Sequence, residues 1–128
     1  LQKLNKTIAI RRKIANMYHK NLKKINELVL PPKPNDRKDR FDVFQNFEMR
    51  ALKRDNLKKY LKKNNIGTLV QWSGKAVHHI KPLKLKANLP KTDLFFKETI
   101  MLPIHPYLSL KEIKYICKKI KKFYGHRL

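Results

Sequence analysis

Three prolines within four residues, Pro31, Pro32 and Pro34, divide the chain into two parts that fold by different rules. Proline lacks the amide donor and disfavours helix in the residue before it, so no helix crosses this point. Upstream, apolar or tolerant residues recur at helical spacing as Leu4, Ile8, Ala15, Tyr18, Leu22, Ile25 and Val29, flanked by Ile14, Met17 and Leu28. That spacing predicts one long amphipathic helix over residues 4–28. Downstream the period changes repeatedly. After a polar loop, Phe41, Val43, Gln45, Phe47 and Met49 alternate with Asp42, Phe44, Asn46 and Glu48, as a strand with one largely apolar face does. Asp55 is placed to cap a helix over 56–64 with Leu57, Tyr60 and Leu61 inward. Gly67 follows, and the β-rich stretch 68–72 reads as a second strand.

Residues 73–90 have no period and read as a long irregular loop, a length that compact domains keep for function or mobility. Thr92 or Asp93 is placed to cap a short helix to about Glu98, and residues 100–104 form a short strand cut by Pro103. Ser109-Leu110-Lys111-Glu112 has the form of a capping box, opening a last helix with Ile113, Ile116, Cys117, Ile120 and Phe123 inward. The order is a long helix, then β-α-β-loop-α-β-α, which is an α/β chain.

The 128 residues suit one domain of ordinary size. Thirty-two Lys+Arg against nine Asp+Glu give a formal charge of +23, which by itself points to nucleic acid. The basic residues are 25 Lys and only 7 Arg, however, and base-edge recognition favours arginine's planar fork. The lysines also fall on the polar faces of separate helices, and no zinc-finger, RNA-binding or zipper motif is present. A small basic nucleic-acid-binding protein is therefore the alternative reading, not the leading one. No apolar run approaches membrane-spanning length and no signal-sequence pattern opens the chain, so a soluble, cytoplasmic protein is expected. The single cysteine, Cys117, reads as a small buried hydrophobe. Residue 1 is Leu and a helical pattern is already running there, so an upstream part is expected.

Several segments, taken in order, resemble one family. Leu1-Gln2-Lys3-Leu4, Arg11-Arg12-Lys13-Ile14-Ala15 and Tyr18 resemble a helix of the DegT/StrS family of sugar aminotransferases. Residues 44–57 with Arg54-Asp55, residues 66–78 (IGTLVQWSGKAVH), Leu89-Pro90-Lys91-Thr92-Asp93 and the run 101–109 (MLPIHPYLS) match further family segments in the same order. The resemblance covers nearly the whole chain. It implies the aspartate-aminotransferase type of fold (fold type I), pyridoxal 5'-phosphate as cofactor, glutamate as the usual amino donor, a nucleotide-linked keto sugar as acceptor and a homodimer. The implied product serves a polysaccharide or related glycan. It further implies that this chain is the C-terminal part, with residues 1–30 a long helix leading from a missing large domain and 31–128 the small α/β domain. The family's Schiff-base lysine and its other cofactor-binding residues lie upstream of the matched region, so the resemblance places no catalytic or cofactor-binding residue here and implies an inactive fragment.

What remains for these residues is to bind and orient the sugar nucleotide. Candidates are Trp72 against a sugar or base face, Lys75 as a point charge on a diphosphate oxygen, and His78 or His79 donating hydrogen bonds to phosphate or hydroxyls. Each competes with a plainer role. Trp72 at a strand end also suits the core, Lys75 is one lysine among many, and the His pair has no Cys, Asp or Glu at ligand spacing, so no metal site is expected. Arg54 and Asp55 read as a helix start.

Overall fold

A computed structural model describes residues 2–126; Leu1, part of the first family-like segment, lies outside them. The elements run α1 (Gln2–Leu22), β1 (Leu28–Val29), β2 (Phe47–Ala51), α2 (Arg54–Lys63), α3 (Pro90–Glu98), β3 (Thr99–Leu102) and α4 (Leu110–Phe123), with three short 3-10 turns between α2 and α3. The strands form one antiparallel sheet in the order β1-β2-β3. The α/β class expected from the sequence is what the structure shows.

A single cluster of buried side chains joins the elements: Ile14, Tyr18 and Leu22 of α1, Phe47 and Met49 of β2, Leu57 and Leu61 of α2, and Ile113, Ile116 and Ile120 of α4. Tyr18 and Phe47 meet with ring centroids 4.8 Å apart. The Tyr18 hydroxyl, whose pKa burial raises far above its usual value, donates to the Pro103 carbonyl at 2.7 Å. That bond satisfies a polar atom which burial would otherwise leave at a cost.

Four local expectations are corrected. The first helix ends at Leu22, not near Leu28, and Leu28–Val29 pair with Ala51 and Arg50 instead. The apolar spacing of Leu22, Ile25 and Leu28 serves a turn and a strand as well as it serves a helix, and pairing with β2 decides between them. The strand begins only at Phe47, because the Asp42 carboxylate accepts the Phe44 amide at 2.7 Å and Phe44 turns to φ 50°. This side-chain turn replaces a ladder bond and buries Phe44 while Phe41 stays exposed. Helix α2 starts at Arg54 behind a left-handed Lys53, so Asp55 sits in the first turn and does not cap it. Likewise α3 starts at Pro90, a favourable first position, which frees Asp93 from capping.

The expected strand 68–72 contracts to one bridge, Leu69 with Met101, before the chain turns away. By contrast, the capping box of α4 is present in full: Glu112 N–H donates to Ser109 Oγ at 3.2 Å, and the Ser109 amide donates to the Glu112 carboxylate at 2.7 Å.

Cys117 lies on the inner face of α4, and burial pushes its thiol up to about 12. Only the thiolate alkylates readily. At pH 8 the native chain should therefore resist iodoacetamide and become fully labelled in urea, as read by mass spectrometry. Rapid native labelling would show that α4 does not hold its place in the core.

Candidate functional site

Residues 71–89 carry no strand and fold as consecutive tight turns, Gln71–Gly74, Val77–His79 and Lys81–Leu83. The first holds three successive left-handed residues, Trp72 (φ 51°), Ser73 (φ 55°) and Gly74 (φ 74°). Left-handed backbone costs about 1–3 kcal/mol at each non-glycine residue, and such strain concentrates where a side chain is held for a purpose. Here the consequence is that Trp72 stands 74% exposed, outside the core that was its alternative location.

Arg54 supports this turn from below. Its side chain is 9% exposed, its Nη1 donates to the Thr99 carbonyl at 2.8 Å, and a Cβ on Gly74 would lie 3.5 Å from its Nη2. Its Nε lies 2.7 Å from an Asp55 oxygen but out of line for a hydrogen bond, so that contact is electrostatic only.

Trp72, Lys75 and His78 line one groove of about 560 Å³, together with Leu85, Leu89 and Phe96. Its surface is mostly carbon, with Lys75 and Lys86 supplying positive charge. An apolar wall with a few cations and one imidazole suits a ligand that combines a ring face with an anionic group. His79 is absent from the lining. It turns instead, with His78, to Asp93: both Nε2 atoms reach the same carboxylate oxygen, at 2.7 Å from His78 and 2.8 Å from His79.

The premise that the His pair lacks an acidic neighbour is thus corrected, since Asp93 arrives from α3, 14 residues beyond His79. No short ligand motif reveals such a contact. Its one trace in the sequence is the aspartate closing Leu89-Pro90-Lys91-Thr92-Asp93, which looks like a helix cap. The groove's far wall was equally hidden, since Leu85 and Leu89 lie in an aperiodic stretch and Phe96 on the short helix that follows it.

Among the described residues no helix is long and apolar enough to cross a membrane. Curated relatives share the sequence in part. A pleiotropic regulatory protein of Geobacillus stearothermophilus is 34% identical over 91% of this chain and 32% of its own length. A dTDP-4-dehydro-2,3,6-trideoxy-D-glucose 4-aminotransferase of Saccharopolyspora spinosa is 24% identical over 100% of this chain and 33% of its own length. The chain therefore spans about a third of the relatives it matches. The fold recurs in the E. coli GDP-4-keto-6-deoxy-D-mannose-3-dehydratase solved with bound hydrated PLP, with a TM-score of 0.78 at 20% identity over 94% of this chain and 32% of that one. The DegT/DnrJ/EryC1/StrS aminotransferase family model matches residues 1–121, so that nearly every element described above lies within the match, and the chain belongs to that family.

Proposed function

We propose that this chain is the C-terminal third of a pyridoxal-phosphate-dependent aminotransferase that passes an amino group from glutamate to a nucleotide-linked keto sugar, for a polysaccharide or related glycan. In this reading the enzyme is a cytoplasmic homodimer, residues 1–30 lead from the large domain, and residues 31–128 form the small one. The observation that carries the reading is the groove that gathers Trp72, Lys75 and His78 beneath a strained turn. Family membership and the Saccharopolyspora relative, named for a dTDP-linked sugar, support it.

The residues present do not fit the cofactor's anchor. Every lysine of the chain is exposed or half-buried, so none offers the enclosed amine that a Schiff base to pyridoxal phosphate requires. The cofactor's carbanion chemistry therefore belongs to the remaining two-thirds of the enzyme.

This chain's own part is to bind and orient. The Trp72 indole offers a flat apolar face to a sugar or base ring. The Lys75 ammonium meets a diphosphate oxygen as a point charge, and His78, whose Nε2 is turned to Asp93, offers Nδ1 to a sugar hydroxyl beside it. The carbon-rich walls at Leu85 and Phe96 offer apolar surface to the ring of the ligand.

In the full-length enzyme, Lys75→Ala with His78→Ala should raise KM for the sugar nucleotide by about tenfold or more, since a charged hydrogen bond contributes roughly 1.5–3 kcal/mol. Cofactor absorbance should stay unchanged. An unaltered KM would remove the groove from substrate binding.

A further inference from the structure

Asp93 is not needed to start α3, yet its carboxylate is the point where two adjacent imidazoles meet. A carboxylate only accepts hydrogen bonds, so His78 and His79 both carry their proton on Nε2. A second contact agrees for His79, whose Nδ1 lies 3.3 Å from the Ala76 amide nitrogen and accepts a hydrogen bond from it.

This pattern separates two uses of the cluster. The His78, His79 and Asp93 ligand atoms lie within 4.8 Å of one another, as a divalent cation would need. A cation bound by Nε2 of His79 would force the proton onto Nδ1, against the Ala76 N–H, leaving two donors face to face. The set is therefore arranged for protons.

The three residues also differ in placement. His78 lines the groove with its side chain 9% exposed, whereas Asp93 and His79, 44% and 40% exposed, are not part of the lining. The backbone hydrogen bonds of the turn are local, from Lys75 to Trp72, His79 to Ala76 and Ile80 to Val77. Asp93 ties that turn to a helix 15 residues beyond His78.

We infer that Asp93 is a positioning residue: it holds His78 in the Nε2–H form at the groove wall, with His79 as a second donor that keeps the carboxylate in place. The inference rests on the reading that the groove takes a nucleotide-linked sugar, a hydroxyl of which would donate to the Nδ1 that this tautomer leaves unprotonated.

Two measurements on the full-length enzyme test it. Nitrogen-proton correlation spectra of 15N-histidine-labelled protein should show His78 as the Nε2–H form, and Asp93→Ala should convert it to a tautomer mixture. An unchanged His78 signature in Asp93→Ala would overturn the inference. In kinetics, Asp93→Ala should raise KM for the sugar nucleotide about tenfold with kcat within about twofold, a loss in the range of one charge-assisted hydrogen bond. Asp93→Glu should restore most of it. In a His78→Ala background the same substitution should add less than about threefold, because coupled residues are not additive. Equal loss in Asp93→Ala and Asp93→Glu, or a full tenfold effect without His78, would mean that Asp93 merely braces the loop. If Asp93→Ala does not fold, Asp93→Asn takes its place, its neutral oxygen giving the same changes at smaller size. Failure of the groove reading itself would appear separately, as an unaltered KM in the Lys75→Ala, His78→Ala enzyme, while the His78 tautomer would still report the hold of Asp93.

Discussion

Phe47→Ala is expected to cost the fold about 3–5 kcal/mol, the usual range for deleting a large aromatic from a closed core. Phe47 is fully buried at the start of β2, against the Tyr18 ring of α1 and edge-on to His19 at 6.0 Å. These contacts come from a strand and a helix that are far apart in sequence, so neither can move in to fill the cavity without giving up its own hydrogen bonds. Domains of this size are stable by only about 5–15 kcal/mol, so the variant should lose much of its margin. Urea unfolding followed by circular dichroism would measure the loss, with exposed Leu110→Ala as a control that changes little. A loss below about 1 kcal/mol for Phe47→Ala would show that the α1–β2 contact is not where the core is tightest.

The second large effect belongs to Arg54. Arg54→Ala leaves the fully buried Thr99 residue with an unpartnered carbonyl and removes the guanidinium beneath Gly74. Losing a charged hydrogen bond and stranding its acceptor costs roughly 1.5–3 kcal/mol. Arg54→Lys should not restore it, because a compact ammonium cannot reach the carbonyl while also filling the space of a planar fork. The same variants should raise protease cleavage within residues 72–79, because the turn would lose its floor. Full rescue by lysine would reduce Arg54 to a source of charge.

The parts of the fold that the sequence made legible are those governed by a single period. The buried set of α4 and its capping box follow from side-chain spacing and one local pair of hydrogen bonds, and the structure has both. The face of β2 was legible in part, since Phe47 and Met49 are buried as their alternation predicts while Phe41 and Val43 are exposed. What escaped was decided by single competing contacts: Asp42 capturing the Phe44 amide, Lys53 in a left-handed conformation, Pro90 opening α3 early. At the site, Trp72, Lys75 and His78 were legible as neighbours on one loop, and the groove unites them. Asp93 and Arg54 were not, because each acts across 14 or more residues through contacts that only the folded chain creates.

The outer edge of β3 is closed to further strand pairing. Its outward backbone groups are all occupied: the Met101 amide and carbonyl by Leu69, the Thr99 carbonyl by Arg54, and the Thr99 amide by Phe95 in the last turn of α3. At the opposite side the sheet ends in the two residues of β1. A polypeptide arriving at the β3 border finds no free ladder to join. A partner along this edge must therefore be gripped through side chains, and so the choice of partner there is written in residues that substitution can change one at a time.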